Sequence, residues 1–246
     1  MPQERTYRNR LLFRDRLISF RTIVKETDLF IRASMNLAAR AKESILLHRG
    51  YIESFIRQHP DFSTSLVPLQ IPKPVPGIIA DMMDAGTGAG VGPMAAVAGA
   101  IAEHVGHDLL KLSREIIIEN GGDIFIQTNQ PVTIGIFANR SPLNMRMGLK
   151  IDCGGRPMAV CTSSGTVGHS LSFGTADAVT VVSRSCPVAD AAATAIANRV
   201  KQKSDVKGAI NFGKDIKGVK GLVIIINDKA GMWGDLNIVQ LQQNKG

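Results

Sequence analysis

Between residues 161 and 198 the chain gathers hydroxyls, glycine, a histidine and a carboxylate: Thr162, Ser163, Ser164 and Gly165, then His169, then Asp190 and Thr194. Asp190 and Thr194 stand four apart in an alanine-rich segment that reads as a helix, so both oxygens project from one face. A carboxylate and a hydroxyl so placed offer two hard oxygen ligands to Mg²⁺, which completes its octahedron with waters and substrate phosphates. The same pair also reads as a first-turn carboxylate, stabilising by ~0.3–1 kcal/mol through the helix dipole, beside a threonine packed among alanines. An imidazole titrates near neutral pH, so His169 suits proton transfer, or the ordering of its own loop through hydrogen bonds.

Two glycine-rich segments add to this set. The run AGTGAGVGP at residues 85–93, with Gly90 and Gly92, leads into an apolar helix expected over 94–105. Backbone N–H groups and the helix dipole at such a junction cradle an anion. It lacks the Gly-Lys-Ser/Thr of a P-loop, and no β-branched strand precedes it as a dinucleotide fingerprint requires. The alternative is that Gly88, Gly90, Gly92 and Gly99 let helices pack closely. The second segment, Asn120, Gly121, Gly122 and Asp123, interrupts a β-prone stretch. Its paired glycines mark either a place where a ligand presses on bare backbone or a tight hairpin turn.

These residues need a scaffold, and the pattern supplies one. Residues 17–24 and 28–33 read as a hairpin, followed by a helix that starts at Ser34 or Asn36 and ends at His59 and Pro60. Its expected apolar face is Leu37, Ala41, Ile45, Tyr51, Ile52, Phe55 and Ile56. Residues 61–76 carry four prolines and read as an extended connector, and 78–85 as a helix stopping at the glycine-rich loop. Strands are expected at 115–119, 124–127, 132–137, 147–151, 158–161 and 179–182, then a helix over 188–200. A glycine-punctuated stretch, 201–221, leads to a final pair of strands at 222–226 and 236–241. Many antiparallel-looking strands with a few long helices make the class α+β.

At 246 residues and 44% hydrophobic, the chain can bury a full core as one domain, 1–246, with a basic region at 1–60 and a ligand-site half at about 86–200. The net charge is +8, of which residues 1–57 carry +6, from twelve Lys and Arg against six Asp and Glu. Arg5, Arg8, Arg10, Arg14 and Arg16 alternate with other residues as on a solvated strand face, without the aromatic interleaving of single-strand binders, so nucleic acid is not the expected partner. The three cysteines, Cys153, Cys161 and Cys186, show no CxxC spacing and read as buried, reduced thiols. No segment has the pattern of a signal peptide or a membrane span, so a cytoplasmic location is expected. Open antiparallel edges need covering, which leaves room for a homo-oligomer.

With ENGGDI at 119–124, TSSG at 162–165 and ADAAATA at 189–195 in this order, the chain resembles the ApbE-like superfamily, which includes the FAD:protein FMN transferases. GVGPMAAVAGAIAE at 90–103 and CTSSGTVGHSLSFGTADAV at 161–179 are similar to an uncharacterised branch of it. The resemblance implies a T-fold-like duplication of antiparallel sheet with packed helices. It implies Mg²⁺ held by Asp190, Thr194 and a backbone carbonyl near Gly90 to Gly92. It also implies an FAD or FMN nucleotide near Asn120, Gly121, Gly122 and Asp123 and near Thr162, Ser163, Ser164 and Gly165, with His169 matching the histidine that follows the family's TSG turn. The chain departs from the transferases after His169, where Ser170, Leu171, Ser172 and Phe173 replace an Asp-Pro and a Thr-Gly pair. Pro93, Met94 and Ala98 stand where the transferase loop carries a Lys and an Asp. The expected activity is Mg²⁺-dependent binding of a phosphorylated, flavin-type ligand, with nucleotide transfer or pyrophosphate cleavage. The alternative is a protein that holds a flavin, nucleotide or pterin-like ring without chemistry.

Overall fold

The computed structural model describes residues 16–72, 74–164 and 174–241, so Gly165, His169 and the arginines before Arg16 lie outside the described residues. The chain enters through the expected hairpin, β1 (Ile18–Val24) against β2 (Thr27–Ala33). Helix α1 (Ala38–Gln58) follows, with the Asn36 side chain accepting the Ala38 N–H at 3.0 Å. Its buried face is Ala41, Ser44, Ile45, His48, Ile52 and Phe55, and Tyr51 is 43% exposed. The helical period explains this correction: steps of three and four from Ile45 reach His48, Ile52 and Phe55, while Tyr51 falls off that face.

The connector contains one short helix, α2 (Asp61–Thr64), before α3 (Gly77–Ala89). Helix α3 runs four residues further than expected and takes in Gly86 and Gly88; the glycine-rich loop begins only at Gly90, which caps the helix with a left-handed φ of 73°. A 3₁₀ turn (Pro93–Ala96) leads into α4 (Val97–Leu110). Strands β3 (Ile116–Asn120) and β4 (Asp123–Gln127) form a tight hairpin, then come β5 (Val132–Gly135), β6 (Met147–Ile151), β7 (Met158–Ser163) and β8 (Ala178–Ser183). The alanine-rich helix is α5 (Cys186–Ala197). The glycine-punctuated stretch holds α6 (Val206–Asp215), and the chain closes with β9 (Val219–Ile226), β10 (Lys229–Gly234) and β11 (Ile238–Gln240).

Among the described residues eight strands form one antiparallel sheet in the order β1-β2-β3-β4-β7-β8-β9-β10, and β11-β6-β5 form a second. Alternation along each strand sorts side chains between two cores. Ile116, Ile118, Phe125, Ala159, Cys161, Val179, Val181, Leu222 and Ile224 face the helices. Ile117, Ile124, Ile126, Val160, Val182, Val223 and Ile225 face the small sheet with Ile134, Leu149 and Ile151. The large sheet is therefore buried on both sides in its middle, with helices on one face and the small sheet on the other. The α+β class with antiparallel sheets and packed helices is borne out.

Two late elements escaped the pattern for physical reasons. Gly208 and Gly213 each weaken α6 by about 1 kcal/mol in intrinsic propensity. Packing overrides this: a Cβ on Gly213 would lie 2.5 Å from Leu222 and 2.6 Å from Ile196. Strand β10 is an exposed edge with little apolar alternation, held by backbone pairing to β9. The expected final strand pair is also corrected, because β11 crosses to β6 while β9 stays in the large sheet. Among the described residues no single helix is long and apolar enough to cross a membrane.

Candidate functional site

The two helices that matter here meet at their N-terminal ends and exchange caps. The first turn of an α-helix leaves backbone N–H groups without partners, and neither α4 nor α5 has a side-chain cap of its own. Asp190 of α5 fills that role for α4: its Oδ2 accepts the Gly99 N–H at 2.9 Å, and the Ala98 N–H adds a second bond. In return Glu103 of α4 accepts the N–H of Cys186, the first residue of α5. Only glycine at position 99 permits this approach, since a Cβ there would lie 2.6 Å from the Cys186 carbonyl oxygen and 2.9 Å from Asp190 Cβ. The close-packing reading of the glycines thus holds at Gly99.

The β3–β4 hairpin closes on the same place. Gly121 and Gly122 form its turn with φ of 70° and 112°, so positive φ accounts for both glycines. Asn120 Nδ2 donates to the Ala98 carbonyl at 3.0 Å, tying the turn to the first turn of α4. The Gly122 N–H donates to Glu119 Oε1 at 2.9 Å, and Thr162 N–H on β7 donates to the Gly122 carbonyl at 3.2 Å. Asp123 lies opposite Cys161 in the strand register, on the helix-facing side, and is 7% exposed.

Asp123 and Asp190 form the electrostatic centre of this arrangement. Burial and the nearby Asp190 charge push the Asp123 carboxyl well above the usual carboxylate range. Burial raises Asp190 to about 7, opposed by its bonds from Gly99 and Ala98. Glu103 is raised as well, again by burial first. Carboxyls that resist ionisation side by side accept a proton or a cation in place of their second charge. Oxygen donors of this kind suit Mg²⁺. Thr194 lies one turn beyond Asp190 on α5 and is 8% exposed, so the residues present fit a small hard cation.

The other expected site residues divide. Thr162 turns away: its Oγ1 lies 2.9 Å from Thr180 Oγ1, and strand alternation puts it on the face opposite Asp123. Ser163 shares the parity of Cys161 and Asp123, and Ser164 follows at the end of the described strand. Gly90 and Gly92 sit in the α3–α4 connection, where backbone needs alone account for them. Gly90 is the left-handed cap, and a Cβ on Gly92 would lie 1.8 Å from the Ser65 carbonyl oxygen. Gly165 and His169 are outside the described residues.

The cysteines are inert, as expected from their burial. All three are free and buried, and Cys161 and Cys186 approach to 3.6 Å between sulfurs. Burial lifts the Cys161 thiol well above its ordinary pKa and Cys186 to about 11, so neither is a thiolate at neutral pH. Glu103 was absent from the sequence-derived site. The signal was there, an acid four residues after Gly99 on an otherwise apolar helix face, but its meaning depends on which helix lies opposite.

Comparison with known proteins agrees with this architecture. The UPF0280 protein MJ1526 of Methanocaldococcus jannaschii is 40% identical over 222 residues, covering 88% of this chain and 90% of its own length. The UPF0280 protein Mbar_A3697 of Methanosarcina barkeri is 40% identical over 217 residues, covering 87% and 85%. Among solved structures, the ApbE protein of Thermotoga maritima matches with a TM-score of 0.55 at 13% identity, over 87% of this chain and 96% of that one. The flavinyl transferase ApbE of Pseudomonas stutzeri, in its apo form, matches at 0.50 and 16%, over 90% and 95%. At these identities the structural likeness carries the fold alone. The family described as AbpE bacteria matches residues 10–230. The chain therefore belongs to that family, an ApbE-like branch shared with archaeal UPF0280 proteins.

Proposed function

We propose that this protein binds FAD, FMN or a related phosphorylated ligand together with Mg²⁺ and, where the ligand carries a pyrophosphate as FAD does, transfers or cleaves there. The observation that carries the reading is the Asp123–Asp190 carboxyl pair, set where the N-terminus of α4, the β3–β4 turn and the end of β7 converge. Asp190 and Thr194 would hold the ion, which when bound neutralises phosphate charge and aligns an in-line attack. The protein's own part is positional. The Asn120 side chain and the Asp190 carboxylate fix the first turn of α4, and the Gly121–Gly122 backbone gives a flat approach beside it. Ser163 and Ser164 supply hydroxyls for phosphate or ribose, and His169 is assigned the proton transfer at the leaving or attacking oxygen. The flavin assignment draws on the family resemblance and on the fold shared with the Pseudomonas flavinyl transferase.

A second reading, a binding protein without turnover, is favoured by Met94 and Ala98. Both lie partly exposed in the α3–α4 connection and first turn, where the transferases carry charged side chains. Calorimetric titration with FAD, FMN and ADP, with and without Mg²⁺, separates the possibilities. Binding of FAD that requires both Mg²⁺ and Asp190, followed by release of AMP, supports transfer or cleavage. Metal-dependent binding without AMP release assigns the protein to the second reading. Absence of binding to all three ligands removes the flavin assignment.

A further inference from the structure

We propose a second metal site, remote in chemistry from the carboxylate pair, in which the Nδ1 atoms of His48 on α1 and His104 on α4 hold a borderline-soft divalent cation of the Zn²⁺, Co²⁺ or Ni²⁺ class. His48 lies on the buried face of α1 and is 9% exposed. Its Nε2 is 3.0 Å from Asp108 Oδ2, an oxygen that also accepts the Ser44 hydroxyl at 2.8 Å. The Nε2 of His104 is 2.7 Å from Asp81 Oδ2 on α3. An ionised carboxylate only accepts hydrogen bonds, so each imidazole presents an N–H at Nε2, and in the neutral ring the lone pair is then on Nδ1. Burial disfavours Asp108 ionisation, but bonds from Lys111, Ser44 and His48 outweigh it and hold the carboxyl at about 2.

Three observations point to a ligand here. The His48 Nδ1 is buried and has no hydrogen-bond partner among the described residues, whereas buried polar atoms are satisfied as a rule. The two rings lie with centroids 4.9 Å apart and planes at 62°. Imidazoles sharing a tetrahedral ion at the usual metal–nitrogen length of ~2.0–2.1 Å place their centroids about 5 Å apart. Finally, both rings have the outer partner typical of metal-bound histidine, a carboxylate accepting the second ring N–H. Asp81 and Asp108 bring two negative charges and Lys111, 2.8 Å from Asp108, brings one positive, which leaves the surroundings favourable to a cation. Among the described residues no three His, Cys, Asp or Glu side chains converge as a complete cage, so water takes the remaining positions. Imidazole nitrogen, in contrast to the oxygen donors around Asp190, selects against Mg²⁺.

The test is a Co²⁺ titration of chelator-stripped full-length protein, followed by visible absorption, in excess Mg²⁺ and with Zn²⁺ as competitor. The expected result is one saturable Co²⁺ per chain, displaced by Zn²⁺ and retained in Asp190→Asn. His104→Gln abolishes it, His48→Gln does the same, and Asp81→Asn weakens it about 10- to 100-fold. His104 is partly exposed, so H104Q keeps its fold, checked by circular dichroism, even where H48Q does not. Co²⁺ binding that survives H104Q, or absence of saturable binding by the native chain, overturns the site.

Discussion

At Asp190 one carboxylate oxygen is committed to helix α4 through the Gly99 N–H at 2.9 Å, and the proposed ion uses the other. Two substitutions separate these roles. Asp190→Ala leaves the Gly99 and Ala98 N–H groups without a cap and is expected to lose about 0.5–2 kcal/mol in urea unfolding without metal. Asp190→Asn keeps an acceptor oxygen and removes one charge from the buried pair, so it unfolds no more easily than the native chain at neutral pH but loses Mg²⁺ binding. Equal stability of the two variants would refute the cap, and Mg²⁺ affinity retained in the Asn variant would refute the metal assignment. Protons should report on the same group. Its folded pKa is raised from 3.8 to about 7, so between those values the folded state binds more protons than the unfolded one. Stability of the metal-free protein therefore falls as pH rises across this window and levels off above it. Mg²⁺ competes with that proton, so its affinity climbs over the same window. Thermal unfolding across the window, with and without Mg²⁺, should show both trends, and D190N should weaken the first, leaving the part due to Asp123 and Glu103, and remove the second. In the sequence Asp190 and Thr194 were legible as a pair, whereas the partner Asp123 was legible only as part of a turn, because 67 positions separate it from Asp190.

Helices α4 and α5 act as one unit, since each caps the other and Gly99 sets their distance. Gly99→Ala places a methyl against the Cys186 carbonyl and Asp190 Cβ. We expect a loss of about 1–3 kcal/mol from forced separation, together with weaker Mg²⁺ binding. Gly88→Ala is the contrasting case. Gly88 sits inside α3 with nothing within 4 Å of the added Cβ, so the substitution should stabilise by about 0.4–1 kcal/mol. Chemical denaturation of both variants checks the pair, and loss of stability in G88A would contradict the helical placement of that glycine. The sequence presents Gly86, Gly88, Gly90, Gly92 and Gly99 as one kind of residue. Their physical reasons differ: Gly86 and Gly92 meet backbone atoms, Gly90 needs a positive φ, and Gly99 admits a neighbouring helix. The contacts of Gly92 and Gly99, like those of Gly213 in α6, come from segments further along the chain, which periodicity does not register.

Among the described residues, the large sheet is covered on both faces in its middle and ends at the edge strands β1 and β10. Amide exchange should follow this layering, because protected amides need both burial and paired neighbours. We expect the slowest exchange in β3, β4, β7 and β8 and faster exchange in β10, whose side chains are largely exposed. Peptide-resolved deuterium exchange showing β10 as protected as β8 would mean that the edge is covered, for instance by a second copy of the chain. The sequence by itself determined the class, most strands, the two long helices and the family, because these depend on local periodicity and on contiguous motifs such as ENGGDI and TSSG. It also placed Asp190 and Thr194 at helical spacing, the pair proposed above as oxygen ligands. Only the tertiary structure decided that Asp123 lies within electrostatic reach of Asp190, that Glu103 and Asp190 exchange helix caps, that Thr162 turns to the other face, and that His48 meets His104. Each of these depends on which elements pack together, and long-range packing leaves no regular spacing along the chain from which it could be read.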